Sequence, residues 1–275
     1  MKNKEFSFKV QNVSFFGEYF KPDTVRAVVI LVHGMGEHSG RYKKYVIPKL
    51  NESNIGVITF DHFGHGKTEG KRGHNPGFDA VLDSVKTVIE KSKEVFGDKP
   101  LFLYGHSMGG NVVINYVLRR KNDLTGVIAT SPFLRLAFEP PKWKMMMANL
   151  ILKIFPGMIM DTGLEAEAVS RDKKVVEDYI NDPLIHSKVS PNFSVVFMET
   201  GEWAIQNASK LNIPVLLLHG TADRLTSYKA SEELAKNSEN VTLKLYEGGY
   251  HELHNDLVKE EEITDIINWI NNKIS

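Results

Sequence analysis

The chain has 275 residues, 42% of them hydrophobic, which is enough to bury the core of one large domain without disulfides or structural metals. Lysine and arginine together number 34, and so do aspartate and glutamate, so the net charge is zero and a nucleic-acid partner is not indicated. The lack of cysteine excludes disulfides and thiolate zinc sites and is typical of a reducing compartment.

The N-terminal segment lacks the apolar core of a secretory signal peptide, and no apolar run is long enough to cross a bilayer. We therefore expect a cytoplasmic protein. Residues 5–20 alternate between polar and apolar and are rich in aromatic side chains. This pattern predicts a β-hairpin, with a bend near Gly17.

Short continuous apolar runs predict strands that are buried on both faces of a mostly parallel sheet. In chain order they are residues 25–32, 55–60, 100–104, 124–129, 213–218 and 241–246. Helical patterns at residues 78–95, 109–120, 227–236 and 257–274 alternate with them. The alternation predicts an α/β fold with right-handed crossovers between parallel strands.

The interval 132–200 interrupts this alternation. It contains two consecutive prolines, a methionine triplet at 145–147 and the apolar run 150–155. We interpret it as a mostly helical cap between two parts of the core, residues 1–131 and 201–275. Because ligands of open α/β sheets bind at the carboxyl ends of the strands, an insertion there would cover the site.

The pentapeptide at residues 105–109, Gly-His-Ser-Met-Gly, lies between a predicted strand and a predicted helix. A G-x-S-x-G pattern in that position holds its serine on a sharp turn with the hydroxyl exposed. Glycines flank the serine because the turn crowds the backbone. The pattern predicts Ser107 as a nucleophile.

A serine nucleophile needs a base to accept its proton and a carboxylate to orient that base. In this architecture the acid and then the histidine follow the serine, each just past a strand. Asp223 and His251 occupy these positions after the runs 213–218 and 241–246. Asp61 is a competing carboxylate, but it precedes the serine in the chain, and His254 is the main rival of His251.

Acyl transfer also needs two hydrogen-bond donors for the developing oxyanion. The residue after the nucleophile supplies one, so we predict the backbone N–H of Met108. The loop after the strand at 25–32 reads His-Gly-Met-Gly, and we predict the N–H of Met35 as the second donor. The alternative is that this glycine loop only turns the chain.

Cofactor and metal motifs are not matched. The loop at 33–37 lacks both the third glycine of a dinucleotide-binding turn and the Gly-Lys-Ser/Thr of a P-loop. His251 and His254 are three residues apart instead of four, and no third ligand flanks them, which argues against zinc. We expect neither a cofactor nor a metal.

With these residues assembled, the chain resembles the monoacylglycerol lipase family of α/β-hydrolases, which is grouped with lysophospholipases and Hydrolase_4 domains. The resemblance extends from about Val25 to the C-terminal helix. The segments that carry it are 33–42, 61–70, 105–110, 131–132, 170–172, 182–185, 222–225 and 250–254. It implies an α/β-hydrolase fold with a helical cap, and a serine esterase that releases glycerol from monoacylglycerols through an acyl-serine intermediate.

The resemblance also implies a polar cluster that binds the glycerol head group. Matched position by position, the cluster is Glu37, Arg41, His106, Tyr179 and His254. A small polyol needs several directional donors and acceptors. The alternative for Glu37 and Arg41 is an ion pair that only braces their loop.

Other functions on the same scaffold are a lysophospholipase, a broad carboxylesterase, a serine aminopeptidase and a non-catalytic binding protein. A phosphate head group would favour additional cations near Arg41. A peptidase would need an acidic anchor for a free amine, for which Glu165, Glu167 and Glu177 are available. The cap residues 143–160 suit an adaptable acyl tunnel and contact with a lipid surface, although core packing explains the same side chains.

Overall fold

A computed structural model of the protein describes residues 2–274, without the side chains of Lys142 and Lys144. Met1 and Ser275, the outer residues of the two predicted core ranges, lie outside the described residues. The strands are β1 (Lys2–Val10), β2 (Val13–Lys21), β3 (Ala27–Val32), β4 (Ile55–Phe60), β5 (Leu101–His106), β6 (Gly126–Thr130), β7 (Met160–Asp161), β8 (Lys188–Val189), β9 (Val215–Gly220) and β10 (Val241–Tyr246).

Within residues 2–274, eight strands form one sheet in the order β1-β2-β4-β3-β5-β6-β9-β10, and β7 and β8 form a separate antiparallel pair. Strands β4, β3, β5, β6, β9 and β10 are parallel, whereas β1 and β2 are antiparallel to their neighbours. The prediction of a mostly parallel sheet is therefore confirmed.

Helices cover both faces of the sheet. They are α1 (Val46–Glu52), α2 (Phe78–Phe96), α3 (Met108–Arg119), α4 (Lys142–Ile154), α5 (Lys173–Asn181), α6 (Pro191–Gln206), α7 (Tyr228–Lys236) and α8 (Lys259–Lys273). In β3, Val28, Ile30 and Val32 face the core shared with α2 and α3, while Val29 and Leu31 face the core shared with α1 and α8. Burial on both faces explains why the strand is a continuous apolar run.

The predicted N-terminal hairpin is present, but its turn is not at Gly17. The chain reverses at Gln11 and Asn12, whose φ values of 46° and 65° are those of a tight two-residue hairpin turn. Gly17 lies inside β2 opposite Phe6, and a Cβ there would be 2.4 Å from the Phe6 ring. The predicted bend was wrong because this glycine accommodates an aromatic ring instead of a turn.

The segment between β6 and β9 contains α4, α5 and α6, together with the short strands β7 and β8. The predicted cap boundary at residue 200 falls inside α6, whose Phe193 and Phe197 are buried in the same core as α3. Helix α4 instead exposes a row of large apolar side chains. Across residues 2–274, none of the helices combines the length and apolarity needed to span a membrane.

Candidate active site

Ser107 joins the end of β5 to the start of α3 in a backbone conformation that serine rarely adopts, with φ 54° and ψ −115°. Its N–H donates to the carbonyl of Thr130 at 2.9 Å, which ties the turn to β6. A Cβ on Gly105 would lie 2.2 Å from the Gly109 carbonyl oxygen, and one on Gly109 would lie 2.0 Å from that of Val32. Both glycines are therefore required for the turn, which places Ser107 in the wall of a cavity.

Asp223 follows β9 and His251 follows β10, and the structure brings the two side chains together. The Nδ1 atom of His251 lies 2.7 Å from Oδ2 of Asp223. Burial acts against the charge of His251, but Asp223 raises the pKa of the imidazole above its usual 6.5. With Nδ1–H donated to Asp223, Nε2 is the basic nitrogen of the ring.

Asp223 is held by four further contacts. Its Oδ1 accepts the backbone N–H groups of Leu225 and Thr226, at 2.8 and 3.0 Å. Its Oδ2 accepts the Thr226 hydroxyl at 2.8 Å and lies 3.1 Å from Nε2 of His219. Burial alone would raise the pKa of this carboxyl, but the two neighbouring histidines lower it well below its usual value. His219 was not predicted from the sequence as a site residue, although it lies in β9 four residues before Asp223.

The two rival residues have other contacts. Asp61 accepts the backbone N–H groups of Ser39 and Lys67, at 2.9 and 2.8 Å, and so braces a loop. His254 is stacked on Tyr42 with ring centroids 4.6 Å apart. Burial lowers the pKa of His254 to about 4, so the ring is neutral.

The two predicted oxyanion donors belong to two segments that lie next to Ser107. Met108 is the first residue of α3, so its N–H has no acceptor within the helix. Met35 lines the cavity in a loop that passes so close to the serine that a Cβ on Gly34 would be 3.2 Å from the Ser107 Cβ. The N–H groups next to Met35 are engaged within the protein: Gly34 donates to Glu37 Oε1 at 2.6 Å, and Gly36 donates to a histidine nitrogen at 3.0 Å.

The acceptor for Gly36 is Nε2 of His65, which lies in the loop after β4. The Nδ1 atom of His65 is 2.8 Å from the Phe63 carbonyl and donates to it, which leaves Nε2 free to accept. Burial lowers the pKa of His65 well below its usual value, so this arrangement of protons is retained. From the segment between β6 and β9, the N–H of His186 donates to the Gly36 carbonyl at 2.9 Å. The loop that carries Met35 is thus fixed from two directions.

The cavity beside Ser107 has a volume of about 200 Å³ and two kinds of wall. Of the predicted head-group residues, Glu37, His106 and Tyr179 line it, together with Ser107 and His251. The apolar part of the lining consists of Met35, Phe133, Leu136, Phe138, Leu164, Val169, Val189, Phe193, Met198 and Leu225. This division suits a ligand with one polar and one apolar end.

Arg41 and His254 lie behind this wall. The Arg41 guanidinium donates to Glu37 Oε2 at 3.1 Å and to both carboxylate oxygens of Glu252, one of them at 2.7 Å. The Tyr179 ring lies 4.9 Å from the guanidinium carbon. The ion pair between Glu37 and Arg41 is thus present, and direct contact of Arg41 or His254 with a substrate stays a prediction.

Glu252 lines the cavity and was not identified from the sequence, although it directly follows His251. Burial would raise the pKa of its carboxyl, but Arg41 lowers it to about 2. The group is therefore an ionised carboxylate next to the predicted catalytic pair of Asp223 and His251. Only its position after a strand-end histidine could have marked it in the sequence.

A mostly parallel sheet with helices on both faces, carrying a serine on the turn after one strand and an acid and a histidine after later ones, defines a serine hydrolase of the α/β-hydrolase fold. The chain belongs to the Hydrolase_4 family, described as serine aminopeptidase, S33, whose sequence profile matches residues 23–258. It is an enzyme of the esterase and lipase type.

Known proteins resemble it over most of its length. The crystal structure of a monoacylglycerol lipase from Paleococcus ferrophilus is 35% identical, covers 94% of this chain and 99% of its own, and has a TM-score of 0.87. A monoacylglycerol lipase of Mycolicibacterium smegmatis is 32% identical over 95% of this chain and 94% of that protein. An uncharacterized abhydrolase domain-containing protein of Dictyostelium discoideum is 35% identical over 90% of this chain, which spans only 26% of that longer protein.

Proposed function

We propose that the protein is a serine carboxylester hydrolase that cleaves monoacylglycerols into glycerol and a free fatty acid. The observation that carries the proposal is the cavity in which Ser107 and His251 lie between an apolar wall and the polar side chains Glu37, His106 and Tyr179. The relatives named monoacylglycerol lipase, which match nearly the whole chain, support it.

In the proposed acylation step, Ser107 Oγ attacks the ester carbon and its proton passes to Nε2 of His251. Asp223 keeps the Nδ1–H of His251 in place and stabilises the imidazolium that forms. The negative charge on the former carbonyl oxygen is taken up by the N–H groups of Met35 and Met108. Donors that are already oriented stabilise this charge without reorganisation.

The tetrahedral intermediate then collapses, the ester C–O bond breaks, and His251 gives its proton to the leaving glycerol oxygen. The acyl group remains on Ser107 Oγ. In the second half-reaction His251 removes a proton from water, which attacks the acyl carbon, and the fatty acid leaves as Ser107 regains its proton. No cofactor takes part in the proposed cycle.

We propose that the apolar lining binds the acyl chain and that α4 contacts the lipid surface from which a substrate comes. Helix α4 exposes Met146, Met147, Leu150 and Ile154, an apolar face of the kind found on interfacial helices. We place the protein in the cytoplasm, in keeping with a chain that has no cysteine.

The test is a substrate panel of monoacylglycerols, diacylglycerols, lysophospholipids, simple short-chain esters and aminoacyl amides. We expect the highest kcat/KM for monoacylglycerols, and a fall of about 10⁴-fold or more in Ser107→Ala with folding retained. The control is Ser92→Ala, which removes a buried serine hydroxyl in α2 whose partner is the carbonyl of Ile89.

Two results would contradict the proposal. A Ser107→Ala variant with undiminished activity would exclude this serine as the nucleophile. A preference for aminoacyl amides would favour a peptidase instead, for which Glu165, Glu167 and Glu177 are exposed and the cavity itself carries Glu37 and Glu252.

A further inference from the structure

The polar wall of the cavity carries more negative than positive charge. Glu37 and Glu252 both line the cavity, and a single guanidinium, that of Arg41, bonds to both of them. Among the described residues, no lysine or arginine is part of the cavity lining. A ligand at this wall therefore meets two carboxylates and one cation that is set behind them.

The charge of Arg41 is fully engaged by protein groups. Its guanidinium donates to Glu37 and, with two nitrogens, to Glu252, and its side chain is 8% exposed. Glu37 in turn accepts the N–H of Gly34 at 2.6 Å and the hydroxyl of Tyr42 at 2.8 Å. A phosphate could pair with Arg41 only after a buried carboxylate lost its partner, which is costly.

Two histidines next to this wall, His106 and His254, do not add positive charge at neutral pH. Burial lowers the pKa of His254 to about 4 and that of His106 well below its usual value. Their rings pack together, with centroids 4.7 Å apart, and the ring of His106 lies 4.9 Å from that of His251. The wall that would receive the leaving alcohol is thus net negative.

We propose that this wall selects the leaving alcohol by its charge, which we call a charge filter. The carboxylate of Glu252 is the group that makes the wall net negative. The enzyme accepts acyl esters of neutral or cationic alcohols and rejects those whose alcohol carries a phosphate or another anion. The inference rests on the proposed esterase function. Its physical basis is that a like charge brought into a desolvated site is disfavoured and discriminates between partners.

The filter is tested with three octanoyl esters that differ in charge but hardly in size. Their alcohols are choline (positive), 3,3-dimethylbutanol (neutral) and 2-sulfoethanol (negative), each used below its micelle concentration. We expect kcat/KM of the wild-type enzyme for the sulfonate ester to be at least about 30-fold below that for the neutral ester. The choline ester is expected to react at least as fast as the neutral one. Equal values for the anionic and neutral esters would overturn the proposal.

Substitutions then assign the effect to Glu252. Glu252→Gln keeps the shape but removes one charge, and we expect it to reduce the discrimination against the sulfonate ester by about tenfold. Glu252→Asp keeps the charge and should keep the discrimination. The matched control is Glu261→Gln, which removes a carboxylate that is paired with Lys244 on the exposed face of α8. An unchanged ratio in folded Glu252→Gln overturns the role of this residue.

Two further measurements keep the outcomes separate. If Glu252→Gln does not fold, Glu37→Gln removes the other carboxylate of the wall and is expected to shift the same ratio. Hydrolysis of monooctanoylglycerol is measured alongside the ester series. Activity on the esters without activity on monooctanoylglycerol would contradict the proposed function and leave the filter standing, whereas equal activity on glycerol and sulfonate esters would overturn only the filter.

Discussion

At Asp223, two histidines meet one carboxylate oxygen. His251 approaches Oδ2 at 2.7 Å and His219 at 3.1 Å, and His219 is itself held at 2.7 Å from the hydroxyl of Ser231. Oδ1 is occupied by backbone N–H groups, so the carboxylate cannot rotate without losing several bonds. The acid of the proposed triad is therefore fixed in both position and charge.

This geometry predicts the acid limb of the activity profile. His251 must be neutral to accept the proton of Ser107, and its folded pKa is raised above 6.5 by Asp223. Activity is thus complete above that raised pKa and is lost as the pH falls through it, so kcat/KM should have its acidic midpoint above 6.5.

The matching variant is Asp223→Asn, which removes the charge that raises the pKa of His251. We expect a loss of about 10⁴-fold in kcat, of the size measured for the corresponding change in a serine protease. An NMR titration of His251 in this variant should give a lower pKa than in the wild-type enzyme. An unmoved pKa would contradict the assignment of Asp223 as the partner of His251.

Some residues of the candidate site could be predicted from the sequence and others could not. Ser107, Asp223 and His251 were predicted because each follows a recognisable strand in a characteristic order. Glu252 and His219 were not, because their importance lies in contacts with partners. Arg41 and Glu252 are 211 positions apart in the chain, and no local pattern shows that they meet.

Among the elements, strands that are buried on both faces were the easiest to predict. The bounds of β4 agree with the predicted run, because every position of a strand that is buried on both faces favours an apolar side chain or tolerates a small one. The bounds of β10 also agree, but the prediction that this strand is buried on both faces was wrong, because it lies at the edge of the sheet and only Tyr246 is buried. The hairpin turn was misplaced because a glycine signals either a turn or a close neighbour, and at Gly17 the neighbour is the ring of Phe6. Only packing distinguishes these two uses.

Helix α8 carries an acid on its buried face. Glu262 is fully buried beside Ile263 and Ile266, and its burial raises the pKa of the carboxyl to about 8. A folded pKa above the unfolded value of 4.5 means that this group contributes its stability below pH 4.5 and loses it as the pH rises towards 8.

Replacing this acid should remove that dependence. As the pH rises from 5 to 8, the wild type should lose about 3 kcal/mol in free energy of unfolding that Glu262→Gln does not lose. Urea unfolding at the two pH values measures the change, and Glu261→Gln on the exposed face of the same helix serves as the control. The same difference from the wild type at both pH values would refute the buried neutral acid.

On the scale of the whole molecule, the fold brings distant segments to one edge of the sheet. The turn after β5 and the loops after β3, β9 and β10 all leave the carboxyl ends of parallel strands. Side chains that are far apart in the chain thus meet around one cavity, as expected for an open α/β sheet. This convergence could be predicted from strand order and motif position alone.

The helical segment between β6 and β9 was harder to predict. Its helical character followed from the sequence, but α6 is continuous across residue 200 and packs into the core. In contrast, α4 exposes large apolar side chains to solvent. The helical spacing of these residues in the sequence does not show whether they are packed in the core or exposed. Apolar side chains of this segment are thus packed into the core in α6 and exposed in α4.

In the proposed mechanism, Ser107 carries the acyl group during ester hydrolysis. The most direct measurement is rapid acid quenching during turnover of a monoacylglycerol, followed by mass spectrometry of the digested protein. We predict one acyl group per chain on the peptide that contains Ser107, and none in Ser107→Ala. An acyl group on another residue, or continued hydrolysis by Ser107→Ala, would exclude Ser107 as the nucleophile.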